Sequence, residues 1–137
     1  APDVEANPTA TNEPTGPVVL IVEDDELVRR TAVRALEQHG YCVHQVAAGD
    51  QALALPSSGL STIDALLTDI VMPEMNGVEL ARRATRLEPD LCVMFITGFA
   101  AVALDDEHGT PRGAKVLSKP FHLRELVREV GRMLEYA

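Results

Sequence analysis

The chain has 137 residues, enough for one domain, and 46% of them are hydrophobic, which is material for one real core. Its formal charge is −9, from 21 acidic against 12 basic residues, and this speaks against nucleic-acid binding, because phosphate contacts need clustered Lys and Arg. No signal peptide is visible and no apolar run approaches the ~20 residues of a membrane span, so a cytoplasmic protein that binds no membrane is expected.

Residues 1–17 hold four of the nine prolines and three acids, Asp3, Glu5 and Glu13, with almost nothing to bury. A disordered N-terminal tail is expected there, followed by one domain over 18–137 with a charge of −6. The chain opens on Ala rather than Met, which suggests a processed or excised product; the tail is either a native linker or a remnant of preparation.

From Val18 onward, β-rich apolar runs alternate with helical patterns. Val18–Val22 is short and continuous enough for a buried strand. Asp25 can cap a helix with Leu27, Val28, Thr31, Ala32, Ala35 and Leu36 on one face, stopped by Gly40. Tyr41–Val46 reads as a second strand, Gln51–Leu55 as the start of a short helix, and Ile63–Thr68 as a third strand. After a loop at Met72–Gly77, residues Val78, Leu80, Ala81, Ala84 and Leu87 mark a helix that ends before Pro89. Leu91–Ile96 is a fourth strand. Residues 99–112 are ambiguous, with a short helix at Phe99–Leu104 or a turn-rich stretch. Lys115–Leu117 is a fifth strand. The last helix carries Leu123, Leu126, Val127, Val130, Met133 and Leu134 at 3-4-3 spacing.

Strands separated by helices run parallel, with helices on both faces of the sheet. In such sheets ligands bind at the carboxyl ends of the strands. There stand Glu23-Asp24-Asp25 after strand 1, Asp69 after strand 3, Thr97-Gly98 after strand 4 and Ser118-Lys119-Pro120 after strand 5. Clustered carboxylates repel unless a cation bridges them, and hard oxygen ligands without His or Cys suit Mg²⁺. With Lys119 as a second cation and Thr97 as a hydroxyl donor, the set fits phosphoryl transfer to Asp69. The carboxylate attacks while metal and ammonium neutralise the transferring oxygens. Taken singly each residue has an ordinary reading: a helix cap for Glu23-Asp24-Asp25, a turn former for Asp69, a solvated charge for Lys119. Only their joint placement argues for chemistry.

Four blocks carry a family resemblance: Leu20-Ile-Val-Glu-Asp-Asp25, Leu67-Thr-Asp-Ile-Val-Met-Pro73 with Asn76-Gly77, Phe95-Ile-Thr-Gly98, and Ser118-Lys-Pro-Phe121. In order, they resemble the signature blocks of two-component response-regulator receiver domains, from Val18 to the C-terminus. The resemblance implies the flavodoxin-like (CheY-like) fold, a five-stranded parallel sheet in the order 2-1-3-4-5 flanked by five helices. It implies Asp69 as phosphoacceptor, with Mg²⁺ held by Asp24, Asp69 and the backbone carbonyl of Val71, and Glu23 acting through water. Asp25 falls one past the acidic pair and is the helix cap. Thr97 would reorient toward the phosphoryl group, Lys119 would contact its oxygens, and Lys119-Pro120 would be cis, a form that proline makes accessible. Many receivers have an aromatic residue three before the strand-5 lysine; here position 116 is Val. Phe99 does a related job or simply packs.

A narrower resemblance runs through Leu66–Arg83, Met94–Leu104 and Ala114–Leu126, to the CpdR group of single-domain regulators in alphaproteobacterial cell-cycle control. It implies a histidine phosphotransferase or histidine kinase as phosphoryl donor. It also implies that the unphosphorylated form binds the ClpX unfoldase of ClpXP, with phosphorylation at Asp69 switching this off. No room remains after Ala137 for an output domain, in keeping with that group; the tail is not, and leaves open a receiver excised from a hybrid histidine kinase. Not an enzyme in the usual sense, the protein would only catalyse its own phosphorylation and dephosphorylation, as a monomer or weak dimer.

The remaining candidates are weaker. His39, His44, His108 and His122 share no metal-ligand spacing. Cys42 and Cys92 read as buried small hydrophobes on strands that the order 2-1-3-4-5 keeps apart, so no disulfide is expected. Arg82, Arg83 and Arg86, like Asp105-Asp-Glu107, read as solvated. A second function class is a small Mg²⁺ phosphohydrolase of haloacid-dehalogenase type, but that class carries an acid two residues after its nucleophile, where this chain has Val71.

Overall fold

The computed structural model describes residues 16–55, 62–72, 75–98 and 114–135. Five strands and four helices are found among them, in the order β1 (Val18–Val22), α1 (Glu26–Gln38), β2 (Cys42–Val46), α2 (Gly49–Leu53), β3 (Ala65–Asp69), α3 (Gly77–Leu87), β4 (Cys92–Thr97), β5 (Lys115–Ser118) and α4 (Leu123–Leu134). All pairings are parallel and the sheet order is β2-β1-β3-β4-β5, as the resemblance implied. The fifth expected helix, Phe99–Leu104, lies outside the described residues.

Strand alternation divides the core into two layers, since successive side chains point to opposite faces. Leu20, Val22, Leu66, Val93 and Phe95 pack on one face with Ala52 of α2 and Val78, Leu80, Ala81 and Ala84 of α3. Val19, Ile21, Ala65, Leu67, Met94 and Ile96 pack on the other with Ala32, Val33 and Leu36 of α1 and Leu126 and Val130 of α4. The three central strands are therefore largely buried, and apolar except at their carboxyl ends, where Thr68, Asp69 and Thr97 stand. The edge strands are not, and His44, Gln45, Lys115 and Val116 reach solvent.

Several side chains differ from their sequence reading. Leu27, 73% exposed, and Thr31 do not join the buried face of α1. Burial begins only at Ala32 and includes Val33, because it is the second half of α1 that packs against the sheet and α4. Thr31 instead turns its hydroxyl to the carbonyls of Leu27 and Val28, at 2.7 and 3.1 Å. Leu87 and Leu123, at helix ends, are also exposed. Cys42 and Cys92 are half-buried free thiols on non-adjacent strands, and burial, helped by the Asp64 charge, pushes the Cys92 thiol up. The Gly16 N–H donates to the Gly40 carbonyl at 3.0 Å. No helix among the described residues is long and apolar enough to cross a membrane.

Candidate functional site

Because the strands are parallel, their carboxyl ends share one edge of the sheet. Asp69 is the last residue of β3, Thr97 of β4 and Ser118 of β5, and Glu23 follows β1 directly. The register sets Asp69 beside Ile96 and Thr97 beside Ser118, so the acid and the hydroxyl residue stand one step apart on neighbouring strands. Glu23, Asp69 and Thr97 are all buried.

Asp69 is held by both carboxylate oxygens. Its Oδ1 accepts the Ile70 N–H at 2.7 Å, with the Val71 N–H at 3.4 Å. Its Oδ2 accepts from Lys119 Nζ at 2.9 Å. The same ammonium donates to Glu23 Oε1 at 3.0 Å, and Glu23 Oε2 accepts the Asp25 N–H at 3.1 Å. Lys119 is itself fixed by its N–H to the Thr97 carbonyl at 2.8 Å, and the Lys119–Pro120 bond is cis. Asp25 caps α1 as expected, its Oδ1 accepting the Leu27 and Val28 amides at 3.0 and 3.2 Å.

Glu23, Asp24 and Asp69 offer carboxylate oxygens that lie within 4.8 Å of one another. Three carboxylates against one ammonium leave an excess of negative charge. Burial pushes the Glu23 carboxyl up, with the Asp69 charge adding to this while the Asp25 amide and Lys119 oppose it. Burial alone would pull Lys119 down, but its bonds to Asp69 and Glu23 outweigh that and hold the ammonium up, so it stays charged at neutral pH. The donors are all hard oxygen, with no imidazole or thiolate among them, and such a set fits a hard divalent cation. This is the one such group of potential metal ligands among the described residues. None of the described histidines belongs to it: His39 caps the end of α1 with Nδ1 3.0 Å from the Ala35 carbonyl, His44 is on β2, and His122 precedes α4. His108, Phe99 and Asp105-Asp-Glu107 lie outside the described residues.

Two features escape the sequence reading. Gly77 opens α3 directly against β3: its N–H donates to the Ile70 carbonyl at 2.8 Å, and a Cβ there would lie 1.9 Å from the Asp69 carbonyl oxygen. Asn76 caps the same helix, its Oδ1 accepting the Val78 N–H at 2.6 Å. Arg29, on α1, donates to the Glu23 carbonyl at 2.8 Å. Asn76-Gly77 is visible in sequence as a turn pair, but its partner on β3 is not; nothing in the sequence marks Arg29 out from the other arginines. At β5, Val116 is 41% exposed, so the position at which the resemblance leads one to look for an aromatic residue presents a small side chain to solvent. A cavity of about 600 Å³ lies between α1 and α4 and one of about 480 Å³ between α4 and the His39–Tyr41 turn, away from the acidic cluster, and their walls bring together no comparable group of ligands.

Comparison with known proteins identifies the family. Residues 19–131 match the family described as the response regulator receiver domain. The chain is 57% identical over 116 residues to the response regulator receiver protein CpdR of Brucella abortus, covering 85% of this chain and 95% of that protein. It is 39% identical over 128 residues to the sensor kinase CckA of the same organism, covering 92% of this chain but only 13% of that much longer protein. The crystal structure of the receiver domain from hybrid histidine kinase CckA superposes with a TM-score of 0.73 at 32% identity, over 85% of this chain and 98% of that one. Fold and sequence thus converge, and the chain belongs to the response regulator receiver domain family.

Proposed function

We propose that Asp69 accepts a phosphoryl group from a phosphohistidine donor, a histidine phosphotransferase or histidine kinase, and that this switches the binding of a partner. The observation that carries the reading is the buried Asp69 carboxylate at the end of β3, fixed by the Ile70 amide and by Lys119 and flanked by Glu23 and Asp24. One Asp69 oxygen attacks phosphorus, the phosphorus–nitrogen bond of phosphohistidine breaks, an acyl phosphate forms, and the imidazole leaves with the electron pair and takes a proton. Asp24 and Asp69, with the Val71 backbone carbonyl and with Glu23 through water, would hold Mg²⁺, which neutralises charge on the transferring oxygens. Lys119 leaves the Asp69 carboxylate to contact a phosphoryl oxygen. Thr97, at the end of β4, turns its hydroxyl to another. The chain thereby catalyses its own phosphorylation and hydrolysis.

The phosphoryl charge then shifts a two-state equilibrium in the face built on β4 and β5. By its likeness to CpdR, which extends over 95% of that protein, the unphosphorylated chain binds ClpX and phosphorylation releases it. The likeness to CckA favours a second placement, as a receiver that hands its phosphoryl group on to a phosphotransferase. A phosphohydrolase is disfavoured by Val71, which stands two residues after Asp69 where a general acid is needed.

Acetyl phosphate with Mg²⁺ tests the chemistry. A single phosphoryl adduct that is absent in Asp69→Asn supports the switch; steady phosphate release from general esters sinks it. A pull-down of ClpX by the unphosphorylated chain, lost on phosphorylation, supports the adaptor role, and equal capture of both forms refutes it.

A further inference from the structure

The acidic site depends on Glu23 standing at a fixed place just past β1, where the strand ladder runs out. In a parallel ladder the N–H and C=O of one residue point to the same neighbouring strand. The Glu23 N–H donates to the Val46 carbonyl of β2 at 3.2 Å, so the Glu23 carbonyl also turns toward β2. But β2 ends at Val46, and no amide among the described residues meets that carbonyl. The group that meets it is the Arg29 guanidinium, at 2.8 Å, and its Nε donates in turn to the Gln45 side chain at 3.0 Å. Arg29 itself is set by α1, its N–H bonding to the carbonyl of the cap residue Asp25 at 2.9 Å. One side chain therefore ties the end of β1, the edge of β2 and the first turn of α1 together, immediately behind the carboxylates.

Building on the metal reading of the site, we propose that Arg29 is a positioning residue for Mg²⁺ binding. It touches neither the metal nor the phosphoryl group. With its backbone carbonyl clamped, Glu23 keeps its side chain between Lys119 and the Asp25 amide, and Asp24 leaves the strand in a fixed direction. Outer partners of this kind shape affinity because they preorganise the ligands. A positive charge acting only through space has the opposite effect: its removal deepens the negative field and tightens cation binding. The two roles therefore predict shifts of opposite sign.

Calorimetric titration of the full chain with MgCl₂ separates them. Arg29→Gln should weaken Mg²⁺ binding about tenfold. Gln45→Ala, which frees one arm of the clamp, should weaken it less, and the double variant should bind no more weakly than Arg29→Gln alone, because both act through one bracket. In the metal-free chain the Asp25 amide resonance should move in both single variants, since that amide donates to Glu23. An unchanged or tighter affinity in Arg29→Gln overturns the role. Where Arg29→Gln does not fold, Arg29→Lys decides: it keeps the charge and loses the fork, and an unchanged Kd overturns the proposal. A wild-type chain that takes up no Mg²⁺ removes the reading of the site itself, and a wild-type chain that binds it while the variants match it removes only Arg29.

Discussion

Replacing Gly77 by alanine tests how tightly the acidic rim is built. The new methyl carbon would lie 1.9 Å from the Asp69 carbonyl oxygen, 2.8 Å from the Asp69 carbonyl carbon and 3.0 Å from Ile70 Cα. All three are backbone atoms of the segment that carries Asp69, so no side chain can swing away. The start of α3 must withdraw by about 1 Å or more, and the Gly77 N–H to Ile70 carbonyl bond of 2.8 Å is then lost. Overpacking of this kind costs about 1–3 kcal/mol and the broken bond about 1 more. Alanine returns up to ~1 kcal/mol of helix propensity, less in a first turn. Gly77→Ala should therefore lose about 1–4 kcal/mol in urea unfolding, with an unchanged m-value. Because the strain falls on Asp69 and Ile70, the folded variant should also take up phosphoryl from acetyl phosphate more slowly. A variant as stable and as quickly labelled as wild type refutes the close approach of α3 to β3.

Metal and pH provide further tests. Saturating Mg²⁺ should raise the melting temperature, with about 2.7 kcal/mol gained at a hundred times Kd, and Asp24→Asn should abolish most of that shift. Burial holds the Glu23 carboxyl above its ordinary 4.5, so the folded state binds the proton more tightly than the unfolded chain. Its contribution to stability is present at low pH and lost as pH rises from about 4.5 through the folded value. Urea unfolding of the metal-free protein should therefore show Glu23→Gln gaining on wild type across that window, and parallel curves would contradict it. Lys119 is raised, so its contribution is present below its ordinary 10.5 and lost at more alkaline pH. Lys119→Ala should cost about 1–2 kcal/mol at neutral pH, a figure discounted because a quarter of the side chain meets solvent. It should leave Asp69 modifiable yet uncouple the switch; the same phosphorylation-dependent change in partner binding as wild type would show that the coupling lies elsewhere.

Much of this is legible in the sequence. Asp69, Lys119, Glu23 and Asp24 were found because strand ends in an open parallel sheet share one edge, a rule that needs only the βα alternation and the strand boundaries. The boundaries themselves moved by a residue or two. Tyr41 precedes β2 rather than opening it, and Asp69 closes β3 where the apolar run had stopped at Thr68. Helix faces are less legible. Periodicity put Leu27 and Thr31 on the buried side of α1, and it describes a helix as though packing ran its whole length.

The sequence by itself determined the fold class, the strand order implied by its family blocks, and the residues of the acidic rim, because apolar period and residue type are local properties. Tertiary structure alone decided how those residues are held. The Lys119 ammonium bridges Glu23 and Asp69 across a separation of 96 and 50 residues. Gly77 is needed only because α3 begins against the end of β3, and Arg29 reaches the Glu23 carbonyl only because β2 ends at Val46. Such contacts join positions whose spacing in the chain carries no period, so no pattern in the sequence can announce them.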